Sequence, residues 1–249
     1  HVEVVAAALR PPQRDSAMPD LQGGIKIGFN SWKGAHTIGS GYASVDPLSV
    51  GVSGAVRRFR VNEFDMSPTT TNDENGWGIS LDGMVPIVPA ASPTAKGNAL
   101  TVTGSFVIGH GVADLLGGLN GGAAFPALVD SMGMTTPFTA NIDNGFVQYD
   151  AEGDLRTLDW VTYMAGIQYY LPPKGDITVG ANYTHGASDN ITDGLEPASL
   201  GTVMKESEFF DATVLANVTP AVRAGAAWQR IHQTRGDDME TTNNRVEFS

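Results

Sequence analysis

The sequence has no cysteine. That excludes a disulfide framework, a thiolate metal site and a cysteine nucleophile. It has no apolar run near the roughly 18 residues that a membrane-crossing helix needs. Basic residues are scarce: 15 Lys and Arg stand against 27 Asp and Glu, a net charge of −12. General nucleic-acid binding is therefore disfavoured, because phosphate contacts need a surplus of cations. Charged residues of both signs make up only 17% of the 249 positions. None of these absences excludes a membrane β-barrel, whose alternating strands are averaged away in hydropathy. No targeting segment is visible. The chain opens at His1 directly into an apolar stretch and stops at Val246-Glu247-Phe248-Ser249 in strand-like sequence. The expectation is a piece of a longer chain.

What is present is a period of two. Ile177, Val179, Ala181 and Tyr183 alternate with Thr178, Gly180, Asn182 and Thr184. Strand side chains point to opposite sides in turn, so this is a strand with one apolar and one polar face. Val161, Tyr163, Ala165, Ile167, Tyr169 and Leu171 alternate in the same way before it, and Pro172-Pro173-Lys174-Gly175-Asp176 joins the two as a turn. The pattern recurs around Phe210–Val218 and Val222–Trp228, joined by Thr219-Pro220, and around Trp77–Ile87 and Leu100–Ile108. It is weaker at Ile25–Phe29 and Val50–Val56. Residues 1–10 and 244–249 add one strand each. The tally is about ten strands of roughly 10 to 14 residues, longer than the usual 5–6 and enough to cross a bilayer at roughly 9–11.

The connections alternate in length. Short links are read at 33–47, 88–98, 172–176 and 219–220. Long polar links are read at 11–21, 62–73, 111–155, 187–204 and 235–243. Outer-membrane barrels show this segregation, with short turns at one end and long loops at the other. Trp77, Trp160, Trp228, Tyr163, Tyr169, Tyr170 and Tyr183 lie near strand ends or on the apolar face. They read either as an interfacial girdle or as the ordinary preference of aromatics for strands.

Several segments carry a resemblance. Pro19-Asp20-Leu21 opens a strand, and Leu48-Ser49-Val50-Gly51-Val52-Ser53-Gly54-Ala55-Val56-Arg57-Arg58-Phe59 follows. Then come Gly76-Trp77-Gly78-Ile79-Ser80-Leu81, Thr103-Gly104-Ser105-Phe106-Val107-Ile108-Gly109-His110-Gly111 and Ala165-Gly166-Ile167-Gln168-Tyr169-Tyr170. Near the end stands Asn243-Asn244-Arg245-Val246-Glu247-Phe248-Ser249. This order resembles the DcaP-like outer-membrane porins of Gram-negative bacteria over most of the chain. The resemblance implies a barrel of about sixteen strands, usually a homotrimer, that passes small hydrophilic solutes. It also implies further strands before His1 and a few residues after Ser249. If the 249 residues stood alone, a smaller closed barrel of about ten or twelve strands would be the reading.

The expectation is therefore an all-β protein, residues 1–249 forming a single antiparallel transmembrane barrel domain in the bacterial outer membrane. It would touch outer-membrane lipid and lipopolysaccharide and would need no catalytic residue, cofactor or metal. Selectivity would come from lumen charge. Charges facing lipid cost about 2–4 kcal/mol at the midplane, so wall cations should face water. Arg57, Arg223 and Lys26, with Arg10, are the candidate lumen ladder favouring small anions such as carboxylates; Arg58 and Arg60 are placed at the rim. Asp82 and Asp211 share the polar face and would oppose the ladder, and rim arginines paired with nearby acids are the plainer reading.

Segment 111–155 is too apolar for a free loop, as Val112-Ala113-Asp114-Leu115-Leu116 and Phe125-Pro126-Ala127-Leu128-Val129 show. It would narrow the pore, pack on a neighbouring subunit or cap the outside. The five histidines are scattered, none at a metal-ligand spacing, and Asp237, Asp238 and Glu240 form either a calcium-binding or a solvated loop. Two other classes remain as alternatives: a soluble or secreted β-sandwich that binds a ligand, and a non-channel barrel such as an adhesin.

Overall fold

The computed structural model describes residues 1–10, 18–37, 43–116, 125–142, 145–150, 152–219 and 222–249. Its strands are β1 (Val2–Leu9), β2 (Asp20–His36), β3 (Ser44–Asn62), β4 (Thr71–Val88) and β5 (Leu100–His110). Four short strands follow: β6 (Ala127–Val129), β7 (Thr135–Pro137), β8 (Val147–Tyr149) and β9 (Leu155–Thr157). Then come β10 (Asp159–Tyr170), β11 (Ile177–Ala187), β12 (Met204–Thr219), β13 (Val222–Arg235) and β14 (Glu240–Phe248). Helical turns occur at Ala113–Leu116 and Pro197–Leu200.

The ten long strands make one antiparallel sheet in chain order, β1-β2-β3-β4-β5-β10-β11-β12-β13-β14. Nearest-neighbour order follows from the links: adjacent antiparallel strands need no crossover. The short strands form two separate hairpins, β6–β7 and β8–β9, inside the connection between β5 and β10.

The strands are longer than the periodicity alone gave. β2, β3 and β4 have 17, 19 and 18 residues. The reason is that strand pairing continues past the apolar belt, where side chains turn polar and the alternation fades. Three links shrink as a result. β2 and β3 continue to His36 and from Ser44, β4 begins at Thr71, and β14 begins at Glu240. Only 236–239 then separates β13 from β14, while 89–99 separates β4 from β5. The strict alternation of long and short links is thus weaker than expected, although the connections from β5 to β10 and from β11 to β12 still leave the same end of the sheet. The turn at Pro220 lies outside the described residues. Gly175 closes the β10–β11 link with φ of 77°, a conformation that favours glycine.

The two faces differ sharply. One register row runs Val4, Ile25, Val52, Leu81, Phe106 and Tyr163 across six neighbouring strands. These large side chains are between a third and three-quarters exposed. Ile27, Val50, Ile79, Ile167, Val179 and Val214 extend the same exposed face. An apolar surface this extensive marks an interaction with something apolar. On the opposite face the row reads Glu3, Lys26, Gly51, Asp82, Ser105 and Met164.

Candidate functional site

The polar face is concave. A groove of about 900 Å³ is lined by residues of β1 to β5 and β10, among them Lys26, Ser53, Ser80, Asp82, Thr103 and Ser105. Small residues make this possible, since glycine and serine let the wall curve without filling the space. Asp82 is the fixed charge of the floor: Ser80 Oγ donates to it at 2.7 Å from its own strand and Ser105 Oγ at 2.7 Å from the next.

One end of the groove is closed by the segment after β5. Val112, Leu115 and Leu116 of the first helical turn line the groove directly. Beneath this turn, Ala113 packs on Leu158, Trp160, Ile191 and Val203, all buried. Further along, Ile142, Phe146, Val147 and Tyr149 bury Phe59 and Val61 of β3, with Phe64, Phe125 and Phe138 around them. Polar contacts fix the segment. Tyr149 Oη donates to the Asn62 carbonyl at 2.6 Å, and Asn62 N–H donates to Asn141 Oδ1 at 2.9 Å. Asn190, from the β11–β12 link, accepts from Asp159 N–H at 2.8 Å and donates to the Thr157 carbonyl at 2.9 Å. Through these contacts Ile142, Phe146, Val147 and Tyr149 pack on the inner side of β3 at the end bearing the long connections, while Val112, Leu115 and Leu116 of the first turn line the groove. Residues 117–124 fall outside the described residues.

The sequence-derived cations occupy different situations. Arg57 is on the polar face but only 3% exposed. It reaches Asp20 at 3.0 Å, Asp114 at 2.7 Å and the Gly111 carbonyl at 3.2 Å. Lys26 is exposed on the same face, opposite Glu3 in register. Arg223 sits at the other end, where its Nε donates to Asn217 Oδ1 at 2.8 Å. Arg10 is exposed and follows β1 at the end bearing the long connections. The four are thus not brought together into one continuous column. Arg58 and Arg60 pair with Asp73 at 3.2 and 2.8 Å.

Two aromatics change sides relative to the girdle reading. Trp160 and Tyr170 have the parity of Thr162 and Met164, so they point into the concave side, where both are buried. Trp77, Tyr163 and Trp228 do stand on the exposed apolar face. The parity of residue 160 was legible in the sequence, but what covers it was not. Sequence reasoning also missed the acids that neutralise Arg57. Asp20 starts a strand, and Asp114 lies 57 positions away from Arg57.

No family model matches the sequence, and no curated protein matches it either. Solved structures do. The outer-membrane channel DcaP of Acinetobacter baumannii aligns with a TM-score of 0.57 at 12% identity, over 99% of this chain and 56% of that one. The NanC porin aligns at 8% identity with a TM-score of 0.34, over 100% of this chain and 97% of that one. The chain has the all-β, antiparallel fold of a porin-type barrel wall, as the DcaP alignment shows, and its ten-stranded sheet is open, with β1 and β14 at the edges. It spans a little over half the length of the DcaP channel chain.

Proposed function

We propose that this chain builds the wall of a passive channel in the bacterial outer membrane, through which small hydrophilic solutes diffuse. The observation that carries the reading is the division of one sheet into two surfaces. A continuous exposed apolar face suits outer-membrane lipid and lipopolysaccharide, and a concave face of serine, threonine, glycine and isolated charges suits water. A soluble sandwich would instead bury its apolar face against a second sheet. Assembly as a homotrimer, which the resemblance to DcaP-like porins implies, belongs to the same proposal.

Within that channel the segment after β5 is the constriction. Its first turn lines the groove, and the segment is anchored at that end by the Arg57 ion pairs and by Tyr149. Anion preference rests on Lys26 and Arg223, opposed by Asp82 and Asp211; Arg57 shapes the pore but is balanced by two carboxylates. The test is single-channel conductance of the full-length, detergent-extracted protein in a planar bilayer under a salt gradient. Stepwise conductance with an anion-selective reversal potential is expected. Folded, membrane-inserted protein without conductance overturns the channel reading.

A further inference from the structure

One side-chain cluster is unrelated to the groove. It lies on the outward, apolar face at the end of the sheet that bears the long connections. The register row that begins Val52, Leu81, Phe106 and Tyr163 continues through His185 on β11 and Glu208 on β12. Rows run perpendicular to strands, and strands in a barrel are tilted, so a row climbs out of the apolar belt as it crosses the wall. It leaves the belt at His185. Glu206 joins from two residues along β12, on the same face.

The donor atoms of His185, Glu206 and Glu208 all lie within 4.8 Å of one another. His185 Nε2 is 2.8 Å from Glu206 Oε1. Tyr183 Oη donates to Glu208 Oε1 at 2.5 Å, which fixes that carboxylate and leaves its second oxygen available. The imidazole is stacked on Tyr163, ring centres 4.9 Å apart at 17°. Its enclosed Nδ1 has no hydrogen-bond partner. Stacking and whatever Nε2 binds therefore set the position of the ring. The His185 side chain is only 18% exposed. Two carboxylates and one imidazole thus converge beside tyrosine rings, with the imidazole largely enclosed and Glu206 open to solvent.

We infer that His185, Glu206 and Glu208 bind one divalent transition-metal cation of the zinc class on the outward rim of the wall. One nitrogen and two carboxylate oxygens make a mixed donor set that suits Zn²⁺, whereas Ca²⁺ and Mg²⁺ take all-oxygen shells. Ligand atoms around tetrahedral zinc stand about 3.3–3.5 Å apart, so small rotamer changes close the site. A bound cation neutralises the paired carboxylates, and Tyr183 orients one of them from outside the coordination sphere. The three ligands come from adjacent strands, so the metal would also clamp β11 to β12.

The experiment is calorimetric titration of the full-length, folded protein in detergent, stripped by a chelator, with ZnCl₂ alone. One zinc per chain is expected. His185→Ala and Glu208→Gln should each weaken binding at least about tenfold, and Tyr183→Phe by about tenfold through loss of orientation. His36→Ala, whose imidazole pairs with Asp46 at the opposite end, should bind as the parent does. Circular dichroism verifies that each variant is folded, and the milder Glu208→Gln decides if His185→Ala is not. Absence of saturable zinc binding, or binding unchanged in Glu208→Gln, overturns the site. Displacement of zinc by a roughly hundredfold excess of CaCl₂ overturns the assignment of metal class.

Discussion

Arg57 donates to the Asp114 carboxylate at 2.7 Å, and this contact joins the barrel wall at β3 to the first turn of the inserted segment. The same guanidinium holds Asp20 at 3.0 Å, so one buried cation balances two carboxylates from different parts of the chain. The sequence signal, an arginine on the polar face, was read as a channel charge. In the folded protein that guanidinium is buried between two carboxylates.

Replacing Arg57 by Met leaves two carboxylates without their partner in a covered site. Breaking a buried pair in this way costs about 3–5 kcal/mol. The urea midpoint of the extracted protein should fall, and single-channel conductance should become larger and noisier as the segment loosens. The reversal potential should stay where it was. A shift toward cation selectivity with quiet conductance would mean that Arg57 acts as a lumen charge after all.

Lys26 and Arg223 are the cations that should move selectivity. Lys26→Glu and Arg223→Glu each reverse a charge on the polar face, and together they should carry the reversal potential toward cations. Asp82→Asn should move it the other way, because the carboxylate held by Ser80 and Ser105 is lost from the floor. Equal potentials for all three variants would remove the wall-charge account.

Tryptophan emission tests which face is which. Trp77 and Trp228 are 37% and 41% exposed on the apolar face, whereas Trp160 is 1% exposed on the concave one. Single-tryptophan variants in bilayers of brominated lipid should be strongly quenched at Trp77 and Trp228 and little at Trp160. Trp160→Ala should also cost about 3–5 kcal/mol, since it empties the cluster of Leu158, Ile191 and Val203.

Acid should loosen the inserted segment. Asp150 accepts the Asp154 N–H at 2.9 Å and pairs with Arg156, which holds its carboxyl below the usual carboxylate range. The backbone hydrogen bond is the main cause, with burial opposing it. A lowered folded-state pKa means that the contribution is fully present above the unfolded value, about 4, and is lost as pH falls through the folded value. Proteolysis within 145–157 should therefore be flat at neutral pH and rise below about pH 4. Asp150→Asn should flatten that dependence, and an unchanged profile would assign the acid response to another group.

Gly111 begins the inserted segment with φ of 67°, and a Cβ there would stand 2.5 Å from Phe59 Cε2. Gly111→Ala should cost about 1–3 kcal/mol in unfolding experiments through backbone strain alone. A neutral result would show that the turn can re-form elsewhere.

The period of two, read along Ile177–Thr184 or Val161–Leu171, was enough to establish strands, their faces and their antiparallel order. Each strand's alternation is local and its neighbours follow directly in the chain. Some strand ends were not legible, because pairing runs on into polar sequence at Thr71–Asn75 and Glu240–Asn244, where no face contrast remains. The fate of the segment after β5 was open for the same reason. Its apolar residues require cover, but the surface that covers them, Phe59 and Val61, is supplied by another strand. Only the tertiary structure decided that Arg57 is neutralised by Asp20 and Asp114. It alone brought His185 together with Glu206 and Glu208, since cross-strand register, and not spacing along the chain, sets which side chains meet.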